Sequence, residues 1–151
     1  MQKLTAPTKQ SDIKRTWHII DVQDQILGRS ATHIAEVLMG KNKSYFARNM
    51  DCGDHVVVIN AKEVKTTGKK EENKVYTRYS GYPGGLKKET LRHLRERRPE
   101  EVVRHAVSGM LPHNRLHDKM LARLHVFAGA EHKFGEKFNS DQIGVKKEES
   151  K

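Results

Sequence analysis

The chain has 151 residues, a length that suits one domain with a core of its own. Hydrophobic residues make up 35% of the chain and the mean hydropathy is -0.81, so we expect a modest core and a strongly charged surface. Lys and Arg total 29 against 19 Asp and Glu, a formal charge of +10. Such an excess favours an anionic partner, either a nucleic acid or an acidic membrane surface.

Cysteine usage and hydropathy restrict the class of protein further. Cys52 is the single cysteine, which excludes an intramolecular disulfide and fits a reducing compartment. The longest apolar run, 56–59, is too short to span a bilayer, and residues 1–15 lack the apolar segment of a secretory signal. We therefore expect no association with a membrane and interpret residues 1–16 as a basic, flexible arm.

The predicted elements begin with a strand at 17–22, "WHIIDV". A helix follows over 29–40 and ends at Gly40. Its apolar residues recur at helical spacing: Ala31, Ile34, Ala35 and Leu38. After a polar connection, the β-branched run of "HVVVINA", 55–61, is typical of a strand buried on both faces. Strand, helix and strand then form a βαβ unit, which predicts a parallel sheet with a right-handed crossover.

The second half of the chain alternates short strands and helices. A third strand, 74–79, leads into the glycine-rich loop "SGYPGG", and a final strand covers 124–129. Three helices are predicted between these strands: 87–98, 99–110 and 114–124. Pro99 suits the first turn of its helix, and the two glutamates after it favour the positive end of the helix dipole. From Glu131 on the chain is polar, and we expect its charged tail to be disordered.

Motifs for catalysis or nucleotide binding are incomplete. "TTGKK", around Gly68, has Glu63 where a phosphate loop needs glycine and Lys70 where it needs Ser or Thr. The first strand–helix turn offers only Gly28, which does not make a dinucleotide fingerprint. Two aspartates close to Cys52 would raise the pKa of its thiol, which disfavours a nucleophile. The motifs thus predict neither an enzyme nor a nucleotide cofactor.

Histidines provide the remaining candidate for a metal site. His113 and His117 are four residues apart, so a helix would place both on one side of a metal ion. No cysteine lies nearby, and Asp118 or His125 would complete the ligand set only through special geometry. We therefore favour a hydrogen-bonding histidine surface over a metal centre.

The stretch "SGMLP" is predicted to stop a helix. Gly109 stands where a helix ends in the left-handed region, and Pro112 prevents continuation. Met110 or Leu111 can then fold back on the last turn.

Basic residues crowd the segment around the glycine-rich loop. They are Lys87, Lys88, Arg92, Arg95, Arg97 and Arg98. Lysine and arginine bind phosphates, and the tyrosines of the loop segment, Tyr79 and Tyr82, are able to stack on unpaired bases. The alternative is a solvated face whose charge is balanced by nearby glutamates. We expect Arg95, Arg97 and Arg98 to act through their charge rather than through internal ion pairs.

Eight short motifs appear in a specific order and spacing from Trp17 to about His132. They are the Trp before "IIDV", "LGR" at 27–29, "GK" at 40–41, "GDHVVVINA" at 53–61, "TGKK" at 67–70, "KVYTRYSGYPGGL" at 74–86, "RRPEEVVRHAVSGMLP" at 97–112 and "RLHVFAG" at 123–129. Together they make the chain resemble the L-thirteen family of large-subunit ribosomal proteins, in its bacterial form.

The resemblance implies a fold and a function. The expected fold is a three-layer α/β/α domain on a four-stranded parallel sheet over 17–130, with an arm at 1–16 and a polar extension at 131–151. The expected protein is a cytoplasmic structural component of the large ribosomal subunit that binds 23S-type rRNA early in assembly and contacts neighbouring ribosomal proteins. No enzyme activity, cofactor, metal, membrane or small-molecule substrate is implied.

Candidate RNA-binding residues follow from the motifs and from basic character. They are Arg29, Lys41, Lys43, Arg48, Thr67, Lys69, Lys70, Lys74, Tyr79, Gly84, Gly85, Lys87, Lys88, Arg92, Arg95, Arg97, Arg98, Arg115, Lys119 and Arg123. The family's motif positions also include Asn60, Gly68, Gly81, Gly109, Met110, Leu111 and Pro112.

Two other classes of protein stay open from the sequence. An RNA-processing enzyme would need an acid/base or metal constellation that the motifs do not supply. A free regulatory RNA-binding protein would have the same sequence features. Co-sedimentation with large subunits at high salt separates both classes from a ribosomal component.

Overall fold

The computed structural model describes residues 8–138. Its strands are β1 (Trp17–Asp21), β2 (His55–Ile59), β3 (Val75–Tyr79), β4 (Leu86–Thr90) and β5 (Leu124–Val126). Its helices are α1 (Leu27–Met39), α2 (Lys70–Asn73), α3 (Leu91–Arg97), α4 (Pro99–Met110) and α5 (His117–Leu121). Short 3-10 turns cover Gln10–Asp12, Ala61–Glu63 and Gly135–Lys137. None of the helices between residues 8 and 138 combines the length and the apolar character needed to cross a bilayer.

The central sheet has three parallel strands in the order β1-β2-β5. Trp17 lies opposite His55, and Val56 lies opposite Leu124. The predicted βαβ unit, β1-α1-β2, is confirmed. The prediction of four parallel strands is wrong, because β3 pairs antiparallel with β4 in a separate two-stranded sheet.

The β3–β4 hairpin replaces the first turn of a predicted helix. Lys87, Lys88 and Glu89 are good helix formers, but their backbone pairs with β3, and such tertiary pairing overrides local propensity. The helix α3 begins only after Thr90, whose hydroxyl oxygen accepts a hydrogen bond from the backbone N–H of His93 at 3.4 Å. "SGYPGG" is thus the turn of a hairpin rather than a link to a helix.

One face of the central sheet packs against α1, α4 and α5 to form the core. Val56, Val58 and Leu124 point to this side and are fully or almost fully buried. The apolar stripes of the helices meet them with Ile34, Leu38, Val103, Val107 and Met120. Burying each of the large aliphatic side chains contributes roughly 1.5–3 kcal/mol. The helical spacing seen in the sequence therefore identifies the helix faces that build the core.

Aromatic rings cover the other face of the sheet. Trp17 stacks on His55 with ring centroids 4.3 Å apart, and His125 continues the stack at 5.7 Å from Trp17. Phe134 and Phe138 pack on Trp17 from residues 131–138, with centroids at 5.1 and 6.3 Å. This segment thus covers the sheet where the resemblance implied a second layer of helices.

Two glycine-dependent helix ends were predicted, and they differ in outcome. Gly40 follows the last residue of α1, which confirms the predicted stop, and it lies in the left-handed region with φ +78°. Gly109 lies inside α4 with ordinary helical geometry, so the prediction of a left-handed stop there is wrong. α4 ends instead at Met110, because Leu111 has the extended backbone (φ -77°, ψ 148°) that the following Pro112 imposes. Leu111 is buried in the core, and Met110 stays on the surface.

Residues 8–16 lie against the connection between α1 and β2. The Thr8 hydroxyl donates to the carbonyl oxygen of Tyr45 at 2.8 Å, and the Lys43 Nζ donates to that of Lys14 at 2.6 Å. Arg15 forms an ion pair with Asp51 at 3.2 Å. The division into an arm, a domain and an extension stays a prediction. Residues 1–7 of the predicted arm and the predicted tail, 139–151, lie outside the described residues.

Candidate nucleic-acid interface

Motif residues that are far apart in the chain surround one cleft of about 420 Å³. The start of α1, the segment 66–74, β3 and the end of α4 all contribute to it. Its lining comprises Ile26, Leu27, Gly28, Thr66, Thr67, Lys70, Lys74, Tyr76, Leu91, His105, Ala106, Gly109 and Met110. Five of the residues predicted from the motifs are thereby brought together: Thr67, Lys70, Lys74, Gly109 and Met110. We call this site the motif cleft.

Backbone hydrogen bonds fix the walls of the motif cleft. The N–H of Leu27 donates to the carbonyl oxygen of Lys65 at 2.8 Å, and the N–H of Lys65 donates to that of Gln25 at 2.8 Å. These two bonds hold the "TTGKK" segment beside the first turn of α1. The wall formed by β3 is held because the N–H of Leu91, at the start of α3, donates to the carbonyl oxygen of Lys74 at 2.9 Å.

Tyr76 and His105 form an aromatic wall of the motif cleft. Their rings stack with centroids 5.3 Å apart and planes inclined by 28°. The ammonium group of Lys74 lies 5.4 Å from the centre of the Tyr76 ring, a cation–π contact. Burial raises the pKa of Tyr76, while the positive charge of Arg95 opposes that shift, so the phenol is neutral at pH 7.

The hairpin presents an outward face next to the motif cleft. Val75, Tyr79 and Leu86 are 45%, 64% and 53% exposed, and Tyr82 in the turn is 75% exposed. Lys88 lies on the same face, because it pairs with Thr77, and Thr77 points to the same side of β3 as Val75 and Tyr79. The predicted residues Gly84, Gly85 and Lys87 belong to the same hairpin. Exposed tyrosines beside lysines suit both stacking on bases and contact with phosphates.

Three of the predicted arginines form ion pairs within the chain. Arg95 pairs with Glu71, and Arg97 pairs with Glu89 at 2.7 Å. Arg92 pairs with Glu96 at 3.5 Å along the exposed side of α3. The expectation that Arg95 and Arg97 act without internal ion pairs is wrong, since their partners lie in α2 and β4, which sequence periodicity does not place next to α3.

Two other predicted cations form ion pairs with aspartates inside the protein. Arg123 is 5% exposed, and its guanidinium donates to both carboxylate oxygens of Asp51 at 2.5 Å. It also donates to the backbone carbonyl oxygens of Leu38 and Asp54, both at 3.3 Å. Lys43 contacts the buried Asp54 carboxylate at 2.5 Å. Arg123 is therefore not a surface residue, which corrects its place among the RNA-binding candidates.

Asp54 anchors residues 8–16 through its buried carboxylate. It accepts hydrogen bonds from the Thr16 N–H at 2.9 Å, His18 Nε2 at 3.0 Å and the Lys43 ammonium. Burial alone would raise the pKa of Asp54, but the hydrogen bonds from His18, Lys43 and Thr16 and the charge of Lys43 hold it well below its usual range. The carboxylate is therefore ionised throughout the neutral range.

The other predicted cations are exposed and open to a partner. Within residues 8–138, no carboxylate lies within 4.0 Å of Arg29, Lys41, Arg48, Lys69, Lys70, Lys74, Lys87, Lys88, Arg98, Arg115 or Lys119. Lys41, Arg48 and Pro112 line a second cleft.

Some residues of the interface were not predicted from the sequence. They are Gly28, Tyr76, His105 and the exposed Arg78 opposite Lys87. Gly28 and Tyr76 stand inside quoted motifs, but only the folded chain brings them to one cleft.

His113 and His117, the candidate metal ligands, contact other groups in the fold. Their rings stack with centroids 5.4 Å apart. His117 lies within hydrogen-bond distance of Asp118 at 3.1 Å and of the Ser108 carbonyl oxygen at 3.2 Å, and these contacts raise the pKa of His117. In the part of the chain that the structure describes, no group of three or more His, Cys, Asp or Glu side chains is placed to hold a metal ion.

Comparison with known proteins gives a consistent match. The family model described as "Ribosomal protein L13" matches residues 15–133. The large ribosomal subunit protein uL13 of Dehalococcoides mccartyi is 47% identical over 146 residues, which cover 97% of this chain and 99% of that protein. The proteins of the same name from Corynebacterium diphtheriae and Caldanaerobacter subterraneus are 52% and 53% identical, each over 83% of this chain and 86% and 87% of their own lengths. Because the family model covers residues 15–133 and these relatives are about half identical over most of the chain, the chain belongs to the ribosomal protein L13 family.

Proposed function

We propose that this protein is a structural constituent of the bacterial large ribosomal subunit and binds 23S-type rRNA through the motif cleft and the hairpin. A relative that is named as a large ribosomal subunit protein aligns with almost the whole of this chain. The family is one of structural proteins, and membership in it confirms the prediction that the chain is not an enzyme.

The observation that carries the RNA-binding proposal is the set of cations without a carboxylate partner. Lys70 and Lys74 lie at the motif cleft, and Lys87 and Lys88 lie on the hairpin. No carboxylate within residues 8–138 approaches any of them to ion-pair distance. An anionic backbone would supply the missing counter-charges, and the exposed Tyr79 and Tyr82 would supply flat surfaces for unpaired bases.

The proposed interface leaves out the cations that already have partners. Arg123 and Lys43 hold the interior together. Arg95 joins α3 to α2 at the motif cleft, and Arg97 joins α3 to β4 of the hairpin, so both support the interface by positioning its parts. Lys41, Arg48, Arg115 and Lys119 are exposed and do not line the motif cleft, and they are further candidates for phosphate contacts.

We further propose that binding takes place early in assembly of the subunit, in the cytoplasm, and that neighbouring ribosomal proteins contact this chain. The chain has a core of its own, so it is able to fold before it meets RNA. A protein that binds RNA mainly through phosphates and local shape needs only a small part of the folded rRNA to be present.

Co-sedimentation tests the proposal. The full chain should remain with purified large subunits through a high-salt wash, at one copy per subunit. A protein that binds rRNA transiently, as an enzyme or a regulator does, would be released into the supernatant instead. Recovery of the chain only in the unbound fraction would reject a role as a structural constituent.

A further inference from the structure

We infer that the motif cleft takes a single unpaired nucleotide of the bound RNA, with the base inside the cleft and its phosphate on Lys70 and Lys74. This inference rests on the proposed RNA-binding function and specifies which part of the RNA the protein recognises there.

The walls of the motif cleft suit a nucleobase. Leu27, Leu91 and Ala106 give apolar walls, and Tyr76 stacked on His105 gives an aromatic one. The volume of about 420 Å³ lies within the range of small-ligand pockets. Unpaired bases are recognised in proteins by this combination of stacking and enclosure, whereas paired bases are not available for insertion.

Positive charge at the motif cleft suits the phosphate of the same nucleotide. Lys70 and Lys74 line the cleft, and no carboxylate between residues 8 and 138 pairs with either. Glu71, which directly follows Lys70 in the sequence, is engaged by Arg95. The first turn of α1, which also lines the cleft, contains no acidic side chain. The charge therefore favours an anionic occupant over an apolar side chain of another protein.

Two helical glycines in the motif cleft are not required by the fold. Gly28 lies in the first turn of α1 and Gly109 in the last turn of α4, and both have ordinary helical backbones. A Cβ atom added at either position would meet no atom within 4 Å beyond its neighbours and its own helix backbone. Glycine weakens a helix, so a helical glycine with free space around it lacks a structural reason within the chain. A ligand that approaches the backbone closely would explain both glycines, because close approach requires the absence of a side chain. Both glycines line the same cleft.

The first test uses the isotopically labelled full chain in two-dimensional NMR. Adenosine 5′-monophosphate and hexauridylate are added, with inorganic phosphate as the comparison. Both nucleotide probes should shift the signals of Leu27, Tyr76 and Ala106, and phosphate alone should shift only those of Lys70 and Lys74. Equal shifts with phosphate and with the nucleotides would overturn the inference, because the base would then make no contribution.

The second test fills the motif cleft. Gly109→Leu places a side chain in it without a clash at Cβ, and Gly129→Leu is the matched control, because its Cβ is equally free and it does not line the cleft. We expect Gly109→Leu to keep its melting temperature and to bind 23S-type rRNA at least tenfold more weakly than the control. If Gly109→Leu melts early, the milder pair Gly28→Ala and Gly109→Ala replaces it.

The outcomes separate this inference from the proposed function. If the unaltered chain binds rRNA and the cleft-filling variants bind equally well, the cleft holds no nucleotide and RNA binding stands. If the unaltered chain does not bind rRNA at all, the proposed function fails. Loss of binding by a neighbouring ribosomal protein, with rRNA affinity intact, would identify the cleft as a protein-docking site and reject the inference.

Discussion

Arg123 joins three segments that are distant in the chain. Its guanidinium contacts Asp51, Asp54 and the carbonyl oxygen of Leu38 from a position that is 5% exposed. Removing one partner of a buried ion pair leaves the other charge buried without compensation, at a cost of about 3 kcal/mol or more. We expect Arg123→Gln to lower the free energy of unfolding by about 3 kcal/mol in a urea titration. The exposed Arg115→Gln serves as control and should change it by less than about 0.5 kcal/mol. Equal effects of the two variants would show that Arg123 is not a structural residue.

The buried carboxylate of Asp54 makes the free energy of unfolding depend on pH in the acidic range. Its pKa in the folded chain lies below its ordinary value of 3.8, since His18, Lys43 and the Thr16 N–H stabilise the carboxylate. A lowered pKa means that the stabilisation is complete above about pH 4 and is lost as the pH falls through the folded-state pKa. Between pH 5 and pH 2, the unaltered chain should therefore lose more stability than Asp54→Asn, as measured by urea midpoints at each pH. Parallel loss in the two proteins would contradict this role.

Gly109 leads to a prediction opposite to that for Gly40, although both are glycines at the end of a long helix. Gly109 is helical with free space at its Cβ, so Gly109→Ala should raise the stability by up to about 1 kcal/mol. Gly40 has φ +78°, and its Cβ would lie 2.6 Å from the carbonyl oxygen of Cys52, so Gly40→Ala should lower the stability by at least about 1–2 kcal/mol. Thermal melting of the two variants checks the signs. A lower melting temperature for Gly109→Ala would mean that the helix does not continue through this residue.

Elements with a strong local pattern were predicted closely, and elements that depend on distant partners were not. The stripes of α1 and α4 and the β-branched run of β2 carry their own signal, so their bounds agree with the structure to within two residues at each end. β4 was missed because "LKKET" becomes a strand only through its pairing with β3. α4 stops before Leu111 for a reason visible in the sequence, the following proline, whereas the prediction assigned the stop to Gly109.

The candidate site was only partly predictable for a related reason. Basic character and motifs identified Lys70, Lys74 and the hairpin lysines, which do lie exposed around one region. The same reasoning also selected Arg123 and Lys43, because the sequence does not show that Asp51 and Asp54 meet them in the interior. Only the folded structure shows which cations lack a carboxylate partner. Those cations determine which surface is able to bind an anion.

At the scale of the whole molecule, the hairpin lysines should act through charge. Lys87→Gln with Lys88→Gln removes two exposed cations, so it should weaken rRNA binding and reduce the slope of log affinity against log salt by about 2. The melting temperature should change by no more than a few degrees, because neither side chain is buried. Lys62→Gln with Lys133→Gln makes the same change in net charge at exposed positions outside the proposed interface. Equal weakening by both pairs would show that only the total charge matters.

The measurement that bears most directly on RNA binding is the affinity of the full chain for 23S-type rRNA as a function of salt. With a net charge of +10 and clustered cations that lack carboxylate partners within residues 8–138, we expect the protein to neutralise about six phosphates. The affinity should then fall about a thousandfold between 50 and 200 mM salt. An affinity that does not change over this range would contradict binding through the basic surface of the motif cleft and the hairpin.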